Sequence, residues 1–221
     1  MPNTSHAQIP NTQSVVARLE EDIVLGLIHP RERLVEDELM ARFDIKRHVV
    51  RHVLASLEAM GLVERRRNVG ALVRAYTSQE VRDLYAVREL LEAECARLIQ
   101  MPADTDRLAR LVAVQKSHDQ AVDAGDQRRA FRANEVFHQT LFGLADNPVL
   151  VNAIQYHAKR AHVVRFVSLT RRAALQQARE EHWAMIDALR SGERERLITL
   201  CRDHLGPSRD IYIETYGRTE P

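Results

Sequence analysis

The sequence predicts a mainly α-helical protein, with a short β-hairpin near its N-terminal end and only helices after it. Glycine (8) and proline (7) are sparse among the 221 residues, and aromatic residues make up 5%. This balance favours helices over a β-rich fold. Apolar residues also recur at the spacing of an amphipathic helix through most of the chain. Apolar residues make up 45% of the sequence, which is enough to build a core.

The N-terminal part is predicted to contain three helices followed by a hairpin. Residues 1–11 are polar and show no period, which predicts disorder. Two short strands are expected on either side of Asn68-Val69-Gly70, whose residue types suit a tight turn. The helices are expected at 13–29, 36–43 and 47–60. This order of elements is that of a winged helix-turn-helix, predicted as a domain over residues 12–76.

The C-terminal part is predicted to be an antiparallel bundle of about six helices over residues 77–215, followed by a tail at 216–221. Thr77-Ser78-Gln79-Glu80 has the Thr-x-x-Glu spacing of a capping box and opens the first helix. The remaining connections are short, so neighbouring helices should run antiparallel. The helices are expected at 79–100, 104–124, 127–144, 148–167, 171–190 and 193–215.

The net charge of +1 hides an uneven distribution. Residues 12–45 contain four Arg and Lys against eight Asp and Glu, whereas residues 46–74 contain seven against two. A local excess of positive charge indicates a polyanionic partner. The alternative is a solvated basic face without a ligand.

Several classes of protein do not fit the sequence. No apolar run approaches the roughly 18 residues of a membrane span, and the N-terminus lacks the pattern of a signal peptide. Cys95 and Cys201 make no disulfide framework. A cytoplasmic protein without membrane contact is therefore expected.

The third helix has the composition of a DNA-recognition helix. In a helix-turn-helix, the start of the second helix of the motif enters the major groove, where its early residues reach bases and phosphates. Arginine can grip guanine or a phosphate with two donors. Duplex DNA is the predicted partner. The residues predicted to contact it are Lys46, Arg47, His48 and Arg51 on the helix, and Arg66 and Asn68 on the hairpin.

The segment LVEDELMARFDIKRHVVRHVLASLEAMGLVERRRNVGALV resembles the DNA-binding domain of the GntR superfamily of bacterial transcription factors. The resemblance covers about residues 12–75. The sequence departs from the usual pattern at Lys46, where Ser or Thr is common, and at His48-Val49, where Thr-Pro is common. The matching positions are Leu34, Glu36, Leu39, Arg47, Val50, Arg51, Leu54, Leu57, Gly61, Leu62, Val63 and Gly70.

Three histidines of the C-terminal part fall on the apolar stripes of three separate helices. They are His138, His182 and His204, and Asn134 lies one turn before the first of them. Neutral imidazole is a common metal ligand, and three of them with one oxygen suit zinc or nickel. The alternative is a buried hydrogen-bonded network that binds an organic acid without a metal.

The bundle resembles the FCD ligand-binding domain of the FadR branch of that superfamily, over residues 79 to about 213. That domain often carries Asp-x-x-x-His on one helix, a Glu-His pair on a later one and a final His. The matching positions here are Asn134 and His138, then Glu181-His182, then His204. The resemblance implies a metal site. Because Asn134 is uncharged, the ion's charge would stay uncompensated and attract an anion.

Arg88 lies on the apolar face of the first helix of the bundle, where it needs a partner. One interpretation is an ion pair with Glu92. The other, implied by the resemblance, is a clamp for the carboxylate of an effector.

These observations predict a homodimeric, ligand-responsive transcription regulator, with repression as the expected mode. Its effector would be a small carboxylate or sugar acid. A direct metal sensor is the first alternative. A metal-dependent hydrolase is the second, but its only obvious base, Glu181, should point about 100° away from His182 around the helix.

Overall fold

The computed structural model describes residues 11–169 and 171–216. The predicted disordered segment 1–11 and the predicted tail 216–221 thus lie almost entirely outside the described residues. The chain divides into two compact units, Met1–Ala75 and Tyr76–Pro221. The described residues form eleven helices and three short strands, which confirms the predicted mainly α fold.

The N-terminal unit consists of three helices and a small antiparallel sheet with strand order β1-β3-β2. Its helices are α1 (Thr12–Val24), α2 (Glu36–Phe43) and α3 (Arg47–Ala59). Its strands are β1 (Arg33–Leu34), β2 (Val63–Arg66) and β3 (Gly70–Val73). Strands β2 and β3 form the predicted hairpin, which we call the wing.

Two features of this unit differ from the sequence prediction. Helix α1 ends at Val24 instead of residue 29, because Gly26 takes a φ of +69° and the amide of Leu27 donates back to the carbonyl of Asp22. Strand β1 was not predicted, since two residues are too few to show an alternating pattern. It pairs with β3, so the wing sheet has three strands.

Helix α3 is fixed by its apolar face and by the turn before it. The predicted inward stripe is buried in full, at Val50, Val53, Leu54 and Leu57. The stripe faces α1 and α2, which pack on α3. Asp44 takes a left-handed φ of +50° between α2 and α3. The opposite, basic face of α3 is thereby left in solvent.

The C-terminal unit is a helical bundle that opens with the predicted capping box, in which Glu80 N donates to Thr77 and Thr77 N donates to Glu80. Its helices are α4 (Ser78–Leu98), α5 (Thr105–Asp123), α6 (Gln127–Gly143), α7 (Pro148–Arg160), α8 (His162–Leu169), α9 (Arg172–Ser191), α10 (Arg194–Asp203) and α11 (Gly206–Tyr216). Helix α4 packs on α7 and α10, α5 on α6 and α9, and α11 on α8. None of the described helices has the length and apolar character needed to cross a bilayer.

Two of the six predicted helices of the bundle are each divided in two. The predicted helix 148–167 breaks at Ala161, where the sequence has neither glycine nor proline to mark the break. The predicted helix 193–215 breaks after Asp203, and α11 begins at Gly206-Pro207. Proline lacks the amide donor of a helix interior and suits the first turn of a new helix.

Both cysteines are free thiols buried in the core of the C-terminal unit. Burial raises the pKa of Cys95 to about 12 and that of Cys201 well above its ordinary value. Both sulfurs therefore stay protonated near neutral pH. In the native protein we expect thiol titration with an aromatic disulfide at about pH 8 to run at least ~100-fold slower than with free cysteine. Two thiols should react in denaturant, and rapid reaction of either in the folded protein would contradict their burial.

Candidate functional site

The basic side chains of α3 are exposed and held by the acidic first turn of α2. The exposed residues at its start are Lys46, Arg47, His48 and Arg51. Arg47 Nη2 lies 2.5 Å from Asp37 Oδ1, and Arg51 Nε lies 3.4 Å from Glu36 Oε1. Exposed ion pairs of this kind contribute little to stability. They can therefore be exchanged for contacts to another anion at little energetic cost.

The N-terminus of α3 has no side-chain cap. Lys46 stands at the N-cap position with extended backbone, and its side chain makes no capping hydrogen bond. The first amide groups of a helix without a cap remain available to an external acceptor, and the helix dipole favours an anion there. Lys46, where the family resemblance leads us to expect Ser or Thr, thus leaves the first amides of α3 without a side-chain acceptor.

The wing adds further cations near α3. Arg66 and Asn68 are exposed, and Asn68 occupies the turn with a left-handed φ of +64°. A groove between the wing, β1 and α3 is lined by Arg33, Arg47, Arg65 and Arg66, together with Glu36 and Asp37. Sequence reasoning missed Arg33 because it missed β1. The only hint in the sequence was that Arg33 stands two residues after another arginine, Arg31.

In the C-terminal unit, the three predicted histidines meet from three different segments. His138 comes from α6, His182 from α9, and His204 from the C-cap of α10. Their ligand nitrogens all lie within 4.8 Å of one another. His138 Nε2 and His204 Nε2 are 3.2 Å apart. We call these three residues the histidine cluster.

Hydrogen bonds at the far side of two rings fix which nitrogen faces the cluster. His182 Nδ1 lies 2.9 Å from Gln115 Oε1, and His204 Nδ1 lies 2.5 Å from Glu181 Oε2. Because a carbonyl or carboxylate oxygen only accepts, each Nδ1 carries a hydrogen, and each Nε2 faces the cluster. His182 Nε2 is buried and has no hydrogen-bond partner among the described residues.

Burial keeps two of the rings uncharged. The pKa of His138 and that of His182 are both well below the ordinary value, first because of burial and then because of the positive charge that His204 can carry. Both imidazoles are neutral near pH 7, which is the form that binds a metal.

One pair of nitrogens in the cluster has the separation found in a zinc site. Zinc binds imidazole nitrogen at about 2.0–2.1 Å, so two such nitrogens of a tetrahedral site are about 3.3–3.4 Å apart. The separation of 3.2 Å between His138 Nε2 and His204 Nε2 is close to this value. The unpartnered Nε2 of His182 supplies a third donor. Asn134 is 3% exposed, and its Nδ2 lacks a partner in the described part of the chain. An amide nitrogen does not bind a metal, so Asn134 would be a ligand only with its oxygen turned to the cluster.

The expectation that Glu181 points away from the cluster is wrong. Its Oε2 contacts the ring of His204, and its Oε1 accepts from Gln177 Nε2 at 2.8 Å. Because Glu181 is next to His182, the sequence predicted its direction around the axis of α9. Its partner is the ring of His204, which belongs to a different element. Burial would raise the pKa of Glu181, and hydrogen bonding to His204 outweighs it, so the pKa is lowered.

A polar pocket that is partly open to solvent lies beside the histidine cluster, with a cavity volume of about 60 Å³. Its polar lining consists of Asn134, Arg165, Ser168, Gln177, Glu181, His204 and Ser208. Asn134 and His204 therefore belong to the pocket wall as well as to the predicted metal site. The remaining wall is apolar and contributed mainly by α9.

Arg165, which sequence reasoning missed, is the cation of this pocket. Within residues 11–169 and 171–216 its guanidinium has no carboxylate at ion-pair distance. Burial lowers its pKa, and the charge of Arg88 lowers it further. A guanidinium nevertheless stays charged in proteins. In the sequence, Arg165 stands within the apolar run AHVVRFVSL, and Arg88 likewise stands on an apolar helix face. Such a position indicates a buried cation that needs a partner.

Arg88 is buried and paired within its own helix. Its Nε and Nη2 lie 3.0 and 2.9 Å from Glu92 Oε1. Arg88 is not among the residues that line the pocket. Its Nη1 lacks a partner in the part of the chain that is described. The ion pair with Glu92 is therefore present, and contact with an effector stays a prediction.

Comparison with known proteins places the chain among bacterial regulators. The family described as "FCD domain" matches residues 83–206, and "Bacterial regulatory proteins, gntR family" matches residues 11–73. The HTH-type transcriptional repressor RspR of Escherichia coli is 25% identical, over 89% of this chain and 86% of that protein. The galactonate operon transcriptional repressor of Escherichia coli is 26% identical, over 81% and 86%. The solved structure of Escherichia coli McbR/YncC has the same fold, with a TM-score of 0.78 at 18% identity and coverage of 93% and 98%.

A winged helix-turn-helix with a basic recognition helix, joined to a helical bundle with a polar pocket, defines the class of ligand-responsive, DNA-binding transcription regulators. The chain belongs to the GntR family of bacterial regulatory proteins, and its C-terminal part is an FCD domain. The family predicted from the sequence is confirmed. Its members are transcription regulators and not enzymes, so the hydrolase hypothesis is set aside.

Proposed function

We propose that the protein is a cytoplasmic transcriptional repressor that binds operator DNA as a homodimer and responds to a small carboxylate. The observation that carries this proposal is the pocket of the C-terminal unit, where Arg165 has no described carboxylate partner and adjoins the histidine cluster. The uncapped, basic start of α3 supports duplex DNA as the second partner. Two repressors among the related proteins support repression as the mode.

The proposed DNA contacts are those of a recognition helix in the major groove and a wing on the backbone. The residues involved are Lys46, Arg47, His48 and Arg51, with Arg33, Arg66 and Asn68 of the wing sheet. A homodimer would read two half-sites about one helical turn apart. Exposed apolar side chains on α4 and α7, two helices that pack on each other, support a dimer interface there. They are Val87, Leu90, Val149 and Tyr156.

The proposed resident ion is zinc or nickel, held by His138, His182 and His204 with Asn134 as the oxygen donor. When bound, it would supply a positive charge at the end of the pocket to which a carboxylate can coordinate. Three neutral imidazoles and an amide leave the charge of the ion uncompensated at the ligands themselves. The carboxylate of Glu181, hydrogen-bonded to His204, offsets it only in part. An anionic effector is therefore favoured.

The chemistry of the pocket wall favours a hydroxylated acid over an apolar one. Arg165 can bind a carboxylate with two parallel hydrogen bonds. Ser168, Gln177 and Ser208 offer donors and acceptors for hydroxyl groups. A sugar acid has both kinds of group, and one related protein is the galactonate operon repressor of Escherichia coli. D-galactonate is thus a suitable first test compound.

Helix α11 is the proposed route from the pocket to residues 74–77, which join β3 to α4. Ser208, at its start, lines the pocket and lies 2.9 Å from Tyr85 Oη. One turn later, Tyr212 Oη accepts from Tyr76 N at 3.1 Å and donates to Tyr76 O at 3.2 Å. Tyr76 is the first residue after the N-terminal unit. A ligand that moves α11 would thus act on the segment that leads to the wing.

The test of this function is selection of duplexes from a random pool by untagged, zinc-loaded protein. We expect enrichment of a pseudo-palindrome with half-sites about 10 base pairs apart. The affinity for the selected duplex is then measured with and without D-galactonate, citrate and other small acids. Enrichment of no sequence would contradict the DNA-binding part. An unchanged affinity with every acid would contradict the carboxylate part.

Direct metal sensing is the second candidate, because His204 lies two residues before α11. In that case the selected duplex should bind differently before and after treatment with a micromolar chelator, without any acid. If the affinity for the selected duplex instead depends on the acid at a constant zinc concentration, the carboxylate effector is favoured.

Replacement of Arg165 by methionine is expected to separate ligand binding from stability. The variant removes a half-buried charge that has no described carboxylate partner, so the melting temperature of the free protein should stay the same or rise. The affinity for a carboxylate should fall by at least ~30-fold, because truncating one partner of a desolvated charge pair costs about 2–5 kcal/mol. Calorimetric titration and thermal unfolding with D-galactonate and citrate measure both effects.

The matched control is Arg190→Met, which removes an exposed arginine paired with Asp187 on α9. It should leave acid binding unchanged. A lower melting temperature of Arg165→Met with unaltered acid binding would show that Arg165 is structural.

A further inference from the structure

Gln115 lies behind the histidine cluster and is fully buried on α5. It contacts three polar groups. Its Oε1 is 2.9 Å from His182 Nδ1, its Nε2 is 2.8 Å from Asp119 Oδ1, and the same Nε2 makes a longer contact of 3.5 Å with His118 Nδ1. The predicted ligand set does not include Gln115.

The contact with Asp119 settles which way the amide points. Side-chain amides can be placed in either of two orientations, and their hydrogen bonds decide between them. A carboxylate only accepts, so the atom of Gln115 that faces Asp119 must be the amide nitrogen. The carbonyl oxygen must then face His182, whose Nδ1 has to donate.

Asp119 is itself held by two donors from α9. Trp183 Nε1 donates to Asp119 Oδ2 at 3.0 Å, and Arg179 Nε lies 3.1 Å from Asp119 Oδ1. Arg179 Nη1 also donates to Asp123 Oδ1 at 2.7 Å. The carboxylate is therefore fixed in position, and α5 and α9 are joined at the level of the cluster.

We propose that Gln115 is a positioning residue that fixes His182 as the Nδ1–H tautomer, a role that rests on the proposed metal site. Asp119 fixes the direction of the Gln115 amide. Nε2 of His182 is thereby kept as a lone pair directed at the cluster. A ring without this partner could turn or take its hydrogen on Nε2, and it would then have to lose that hydrogen before it could bind a metal. Hydrogen-bond partners of ligating histidines commonly contribute 10–100-fold to metal affinity.

The first test uses the wild-type protein without metal. The ¹⁵N chemical shifts of the His182 ring should be those of an Nδ1–H tautomer. An Nε2–H tautomer would overturn the proposal, whether or not the protein binds a metal.

The second test is the zinc affinity of Gln115→Leu, measured by competition with a chelating dye. The leucine has a similar volume but no acceptor, so we expect a loss of about 10–100-fold. In Gln120→Leu, which makes the same change at an exposed position of α5, zinc affinity should match the wild type. Thermal unfolding of the metal-free proteins reports whether each variant is folded.

The outcomes distinguish this inference from the metal site on which it rests. If the wild-type protein is folded but binds no zinc, the metal site is contradicted. The ¹⁵N shifts of His182 would then still show whether Gln115 fixes its tautomer. Wild type and Gln115→Leu with the same zinc affinity would leave the metal site standing and overturn the positioning role.

Discussion

Replacement of His138 by alanine is expected to abolish metal binding while the protein stays folded. Untagged wild-type protein should carry about one zinc or nickel ion per chain, as expected for a site with three imidazole ligands. The variant leaves only two imidazoles and an amide. Its loss of affinity should exceed the roughly 10–100-fold loss that follows removal of a hydrogen-bond partner of a ligand. Elemental analysis of both proteins measures the difference.

The matched control for this variant is His157→Ala. His157 is a half-buried histidine of α7, outside the histidine cluster. The His157→Ala variant removes the same kind of side chain from the same unit, and its metal content should match that of the wild type. Equal loss of metal in both variants would indicate adventitious binding.

The opposite result would also be informative. Suppose that neither protein carries metal, and that the wild type is folded and binds its selected duplex. The three histidines and Asn134 would then form a polar network, with Gln115 and Glu181 as its outer members. The pocket and Arg165 would remain, and the effector would be an acid held by the guanidinium and by neutral donors. The regulator function would stand without the metal.

The sequence predicted the elements of the site better than their contacts. Helical spacing put His138 and His182 on apolar stripes, and both turn inward because the stripes do. Which rings meet depends on how α6, α9 and α10 pack, and a period within one helix carries no such information. Glu181 shows the limit, since its partner His204 comes from another segment. The family resemblance supplied the grouping that the spacing could not.

Other features were missed for local reasons. Strand β1 has only two residues, and it is defined by its antiparallel pairing with β3. Pro207 marks the break before α11. The break was missed because the helical period of apolar residues continues on both sides of it. Arg165 was passed over because the apolar run around it predicts a core helix, in which a single cation attracts little attention. Yet a half-buried cation with no described carboxylate partner is the stronger indication of a ligand.

The double replacement of Arg47 and Arg51 by alanine is expected to have the largest effect on DNA binding. Both side chains lie one turn apart on the exposed face of α3, and both are held in the free protein by exposed ion pairs with α2. These pairs contribute little to stability, so the melting temperature should change little. Each lost contact to a base or phosphate costs about 1–3 kcal/mol, which gives a loss of roughly 30-fold to more than 10⁴-fold in affinity for the selected duplex.

The salt dependence of the same variant shows what the two arginines contact. Each phosphate contact contributes about one unit to the slope of log K against log salt concentration, whereas a contact to a base edge does not. A slope lower by about two would assign both arginines to the backbone. An unchanged slope with relaxed preference for one base pair would assign them to bases. The control is Arg190→Ala with Arg196→Ala, two exposed arginines paired with Asp187 and Glu193 in the other unit. Because it removes the same charge, an equal loss of affinity in the control would mean that net charge alone binds the DNA, and that α3 is not the recognition helix.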